Sequence, residues 1–204
     1  MSFPSDIAFT STVKAVQARR GSRAAYARME EKRGWPTEIS DDLAHFLSAV
    51  QSFYLGTTNG EGQPYIQHRG GPPGFIRLLD KRTLAFADFR GNRQYITLGN
   101  LKDNPRAFMF VMDYETGQRV KIWGTASVVD WSREWEDRLA PKGYDAKPEQ
   151  AILFTVAAWD RNCHQHIPRK IPAEKMESLV AHYQERVAAL ETEIAALRAA
   201  NGVR

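Results

Sequence analysis

Between residues 52 and 160 the chain repeats one local pattern, short β-rich segments separated by turns of only a few residues. Segment 53–58 runs into the Gly/Asn-rich turn 59–62, and 64–69 follows it. Segments 75–79 and 83–88 are separated by 80–82, and segments 107–113 and 118–130 by 114–117. A last β-rich stretch covers 152–159. Connections this short join antiparallel neighbours, because a parallel pair needs a crossover of a dozen residues or more. Six or seven strands joined mainly by hairpins predict an antiparallel β-barrel, closed so that no edge is left bare.

Helices flank and interrupt the strands. Residues 8–33 read as helix, with Val13, Val16, Ala24, Ala25 and Met29 among long polar side chains and Gly21 as a break that splits it in two. A second helix, 40–51, carries Leu43, Phe46, Leu47 and Val50 at helical spacing behind the N-cap Ser40. Short helices are expected between Asp88 and Ala107, ended by Asn104-Pro105, and over 132–139. Residues 173–200 are helical throughout. There Met176, Val180, Tyr183, Val187, Leu190, Ile194 and Leu197 are spaced 4-3-4-3-4-3, a heptad seam. Such a helix pairs with another helix or lies on the barrel of its own subunit, and the pattern leaves both open. Three regions follow: a helical extension (1–51), a strand-rich barrel (52–172) and a C-terminal helix (173–204).

Hydrophobic residues make up 43% and charged residues 25%, the balance of a globular chain. No apolar run approaches the ~20 residues that span a bilayer. The start of the chain lacks the basic-then-apolar pattern of a secretory signal. A single cysteine, Cys163, forms no internal disulfide, so the expected compartment is the cytoplasm. Of the net charge of +4, residues 1–39 hold +3 (seven Lys/Arg against four Asp/Glu). A nucleic-acid arm has this look, but a solvated helix face explains it more simply, and no nucleic-acid partner is expected.

The chemistry concentrates in residues 67–101, QHRGGPPGFIRLLDKRTLAFADFRGNRQYITLGNL. A strand ends at Asp88, Gly91 permits a turn, and Asn92 suits a helix N-cap. The helix behind it would present the free amides of residues 93–95, a ready site for phosphate. Arg93 can grip such a group with two hydrogen bonds, and Arg69, leaving a neighbouring strand, offers a second prong. A capped helix beside surface arginines remains the alternative on these residues alone. His68 titrates in a range useful for proton work, yet a strand histidine also serves as a simple structural partner. The glycines of GGPPG allow backbone to approach a flat ligand. The tight cluster Asn162, Cys163, His164 and His166 lacks the spacing of paired zinc ligands, so no metal is expected. Trp123 and Trp159 are strand aromatics that cover either a core or a ring system.

Taken in order, residues 53–58 with NGEGQP, QHRGGPPGF, TLAFADFRGNRQYITLGNL with LKDNPRAFMFV, and QRVKIWGTASVV resemble the pyridoxamine 5'-phosphate oxidase-related family of FMN-binding split barrels, over about residues 45–160. AWDRNCHQHIPRKI is similar to the C-terminal end of one branch of that family. The resemblance implies an antiparallel split barrel and a homodimer with flavin mononucleotide (FMN) at the subunit interface. It also implies oxidoreductase activity in which the flavin carries the hydride chemistry. By position it sets Arg93 and Gln94 on the family's basic phosphate-binding pair, although Gln94 stands where the true oxidases carry lysine. It places Asp88 at a strand end against the flavin, and Gln67, His68 and Arg69 on the first flavin-binding strand. Arg119 and Lys121 lie on the strand that, in the family, faces the cofactor or substrate. The cofactor-binding set is thus Gln67, His68, Arg69, Asp88, Asn92, Arg93, Gln94 and Lys121, with no catalytic side chain assigned. A non-catalytic flavin-binding or redox-sensing protein, or a split barrel holding heme or a deazaflavin, are the alternatives.

Overall fold

The structure, a computed structural model, describes residues 3–161 and 165–200. Seven strands form one antiparallel sheet: β1 (Ser52–Thr58), β2 (Pro64–Gly70), β3 (Arg77–Leu78), β4 (Thr83–Phe89), β5 (Arg106–Asp113), β6 (Gln118–Asp130) and β7 (Pro148–Arg161). Their order is β2-β1-β5-β6-β7-β4-β3. The fold is mainly β with added helices, antiparallel as the hairpins predict and arranged as the split barrel that the resemblance implies. Successive hairpins β1–β2, β3–β4 and β5–β6 are sequence-local, whereas β1–β5 and β4–β7 are long-range pairings that bring the hairpins together.

The apolar residues that alternate along the strands fill the interior. Phe53 and Leu55 of β1, Met109 and Val111 of β5, Val120 and Ile122 of β6, and Ile152, Phe154 and Val156 of β7 are all buried in one cluster. Helix α3 (Asp41–Ala49) closes one side of it with Leu43, Phe46 and Leu47. Ser40 caps that helix, accepting a hydrogen bond from the Leu43 amide at 3.3 Å. Strand β4 is buried on both faces, since Ala85 and Ala87 meet Ala151 and Leu139 of helix α5 (Arg133–Leu139) on the side away from the main core. At Gly124 the β6–β7 register shifts, and a Cβ there would lie 2.0 Å from the Thr155 carbonyl oxygen. Only glycine permits that close crossing.

The first helical stretch is parted at Gly21, whose φ is +81°, into α1 (Ser11–Arg19) and α2 (Arg23–Lys32), as expected, with a 3-10 turn (Pro4–Ile7) ahead of them. Two expectations change. Strand 75–79 shrinks to Arg77–Leu78, because Phe75 and Ile76 are adjacent and both enter the core, which alternation along a strand forbids. The last strand is longer than 152–159, starting at Pro148 and running to Arg161.

The chain divides into two compact units. One holds residues 1–113 and 118–164, and the other holds 114–117 and 165–204. The second contains the β5–β6 turn and α6 (Ala173–Ala200). Within it the Lys170 amide donates to the Tyr114 carbonyl at 3.1 Å, and Lys175 pairs with Glu115 at 2.5 Å. No helix of the described residues is long and apolar enough to cross a membrane.

Candidate functional site

Strand β2 alternates, and its period of two sorts the side chains that sequence analysis grouped together. Tyr65, Gln67 and Arg69 share one face and line a cavity, whereas His68 turns to the other face, its ring edge-on to Tyr54 at 5.8 Å. The opposite wall comes from the end of β4 and the segment after it: Asp88, Phe89, Asn92, Arg93, Gln94 and Thr97. Six of the eight predicted cofactor-binding residues therefore line one cavity, and His68 and Lys121 do not.

The chain reaches this arrangement by an unexpected route. Asn92 is not a helix N-cap; its Oδ1 accepts from the Gln94 amide at 3.2 Å in a local turn. Helix α4 (Ile96–Asp103) starts three residues later than predicted, behind Tyr95. Arg93 and Tyr95 both sit in the left-handed region, φ +61° and +54°. For side-chain-bearing residues this conformation is costly, and such strain collects at functional sites. The consequence is that the free amides at the start of α4 belong to residues 96–98, which also line the cavity. Hydrogen bonds hold the helix against the sheet, from Asn100 Nδ2 to Thr57 Oγ1 at 3.0 Å and from Thr97 Oγ1 to Gln67 Oε1 at 2.7 Å.

Charge is layered around the cavity. Arg69 donates from Nη1 to Asp88 Oδ1, and the two side chains are 10% and 11% exposed. Arg69 Nε is buried with no hydrogen-bond partner among the described residues. At the rim, Arg93 Nε donates to the Tyr95 hydroxyl at 3.1 Å, which donates to Glu149 Oε2 at 3.3 Å, and Arg90 pairs with Glu149 at 3.2 Å. The Tyr95 hydroxyl, with Glu149 behind it, raises the Arg93 pKa above its ordinary value. Three guanidinium groups thus stand against two carboxylates beside a helix N-terminus, a local excess of positive charge suited to an anion.

Tyr65, Tyr95, Thr97 and Glu149 also line the cavity, and no sequence pattern had singled out their side chains. Tyr65 was available from the alternation that pairs Gln67 with Arg69. Glu149 was not, because it arrives through the β4–β7 pairing, in which Asp88 faces Gln150.

The remaining candidates lie elsewhere. Lys121 pairs with Asp160 at 3.1 Å and stands over Trp35 and Trp123, 5.6 and 5.3 Å from the ring centroids. Trp123 stacks on Trp35 with centroids 4.7 Å apart, and Trp159 Nε1 donates to the Glu38 carbonyl at 2.8 Å, so both fasten the N-terminal segment to the barrel. A larger cavity of about 630 Å³ lies beside them, lined by Tyr26, Met29, Trp35, Trp159 and Arg161 among others. Arg119 Nε is buried without a partner among the described residues. Asn162, Cys163 and His164 lie outside the described residues.

A family model described as pyridoxamine 5'-phosphate oxidase matches residues 39–163. No curated protein matches the chain. Several solved structures are similar to it. An FMN-binding protein from Syntrophomonas wolfei is 13% identical, with a TM-score of 0.45 over 72% of this chain and 97% of that one. HupZ of Group A Streptococcus is 20% identical, with a TM-score of 0.44 over 59% and 90%. A Clostridium acetobutylicum protein related to general stress protein 26, of the pyridoxinephosphate oxidase family, is 16% identical, with a TM-score of 0.41 over 60% and 87%.

Proposed function

The chain belongs to the pyridoxamine 5'-phosphate oxidase family, and from that premise we propose that it binds FMN through the Arg69–Arg93 cavity and works as an FMN-dependent oxidoreductase in the cytoplasm. The observation that carries this reading is Arg69 Nε, a buried donor with no partner among the described residues, on a side chain that lines the cavity. A buried donor left unsatisfied is costly, and an oxygen-rich anion removes that cost. The donor set fits a phosphate monoester. Arg93 offers its two outer nitrogens at the rim, the amides of residues 96–98 point from the helix start, and Arg69 adds a donor from below. Gln67, already held by Thr97, presents its amide to the sugar-alcohol chain beside the phosphate.

The cavity measures about 50 Å³. Sites that enclose a small molecule usually run to ~300 Å³ or more. It therefore holds the phosphate end, while walls for the ring come from a second copy of the chain in a homodimer. When bound, FMN supplies the two-electron redox chemistry, and the protein's part is to anchor and orient it. None of the cavity residues is assigned a catalytic role.

The test is the visible spectrum of purified protein, release and identification of any chromophore, and stopped-flow mixing with NADH and NADPH. The two-band spectrum of an oxidised flavin that bleaches with a reductant is the expected result. A preparation that stays colourless after incubation with FMN and dialysis overturns the binding reading, and a Soret band assigns heme instead. Bound FMN that no reductant bleaches leaves a flavin-binding protein without the enzyme.

A further inference from the structure

We propose that α6 is one strand of a parallel, two-stranded coiled coil whose other strand is α6 of a second copy of this chain. The helix runs 28 residues with none of them buried, roughly 42 Å at 1.5 Å per residue. Its apolar side chains meet water along one line. Met176, Val180, Tyr183, Val187, Leu190, Ile194 and Leu197 are all between 41% and 59% exposed. The other faces carry mostly small or polar residues, with alanine at 181, 188, 189, 195, 196 and 199. One apolar stripe means one partner surface, and alanine-rich flanks keep the helix formed.

The residues on the stripe select the partner. In heptad register Val180, Val187 and Ile194 occupy the a positions, and Met176, Tyr183, Leu190 and Leu197 the d positions. These three a residues are β-branched, and d is leucine in the C-terminal half, the combination that favours two parallel strands over three or four. Charge complementarity points to a second copy in register. A parallel pair sets each g residue against the e residue five positions later on the other helix. Arg186 then meets Glu191 of the second copy, and Glu193 meets Arg198 of the second copy. Neither pair forms within one helix, where neighbours are three or four residues apart. Two-fold symmetry doubles both contacts and sets no like charges opposite each other. The remaining g–e contact sets Leu179, 47% exposed, along the stem of Gln184.

The coil does not depend on FMN, and its test is separate from the flavin spectrum. In a full-length Cys163→Ser background, Leu190→Cys places two thiols across the d layer, within disulfide range. Ser178→Cys, at the outward f position, is the control. Mild oxidation followed by a non-reducing gel should show Leu190→Cys as covalent dimer at about ten times the rate of Ser178→Cys. Added to Leu190→Cys, Glu191→Arg turns two attractive contacts repulsive and should lower cross-linking on the order of tenfold, and Arg186→Glu added to that should restore it. Equal cross-linking of the two cysteine variants overturns the proposal. So does a Leu190→Cys chain that links only to a Val187→Cys chain and not to itself, since that is an antiparallel pair.

Discussion

Replacing Asp88 by alanine removes the carboxylate that holds the buried Arg69 guanidinium. Both side chains are about nine-tenths buried, and they meet through Arg69 Nη1 and Asp88 Oδ1. Stranding one member of a buried pair typically costs 3–5 kcal/mol. The low end applies here, because the pair forms the wall of a cavity that admits some water, so the expected loss is about 3 kcal/mol. In a chain of this length that lowers the melting temperature by roughly 6–12 °C. The variant Arg69→Met/Asp88→Ala should recover most of the loss, because neither charge is left behind. Inorganic phosphate discriminates further. If the cavity is an anion site, a bound dianion supplies the missing negative charge, and phosphate should stabilise Asp88→Ala more than the parent chain. Urea unfolding followed by tryptophan fluorescence, with and without phosphate, reads all of these quantities. A loss below about 1 kcal/mol, combined with equal stabilisation of parent and variant by phosphate, would refute the reasoning. The pair would then contribute little to stability, and the cavity would not be an anion site.

Further outcomes follow from other positions. Arg93→Ala should weaken FMN binding on the order of ten- to a hundredfold in a calorimetric titration while leaving the melting temperature unchanged, since the residue is exposed and packs against no core. Arg93→Gly should weaken binding equally but melt higher than the alanine variant, because glycine adopts φ +61° without strain. Gly124→Ala should fail to give soluble, cooperatively melting protein, as its Cβ has no room beside Thr155. Asp80 accepts from the amides of Arg82 and Thr83, and the first of these contributes most to holding its pKa below 3.8. A lowered folded pKa means that its contribution to stability is present above the ordinary aspartate value and is lost as pH falls through the lower folded one. Asp80→Asn should therefore narrow its stability gap to the parent in acid, measured by urea unfolding from pH 5 to pH 2.

What the sequence made legible was what is local. Hairpins carry their own signals in turn residues and alternation, and the core residues of β1, β5, β6 and β7 fall where a period of two puts them. The same period, applied within QHR, separates His68 from Gln67 and Arg69, since three consecutive strand residues cannot share a face. Two things escaped. Glu149 reaches the cavity only through a strand pairing some sixty residues long in sequence, and no local pattern encodes that register. The left-handed turns at Arg93 and Tyr95 escaped because neither residue is the glycine or asparagine that normally marks such a conformation.

That second failure carries information about the site. Asn92 and Gly91 are next door, and either would adopt φ > 0 more cheaply, yet the chain puts an arginine and a tyrosine there. The Tyr95 turn brings its hydroxyl between Arg93 Nε and Glu149, which fixes the guanidinium at the rim through Nε alone. A helix started at residue 93, as the N-cap pattern suggested, would have buried that side chain's freedom in its own first turn. Starting instead at Ile96 sets side-chain and backbone donors on the same cavity, Arg93 from the rim and the amides of 96–98 from the helix. Strain at two residues is thus the physical means by which one arginine and one helix terminus come to face a single cavity.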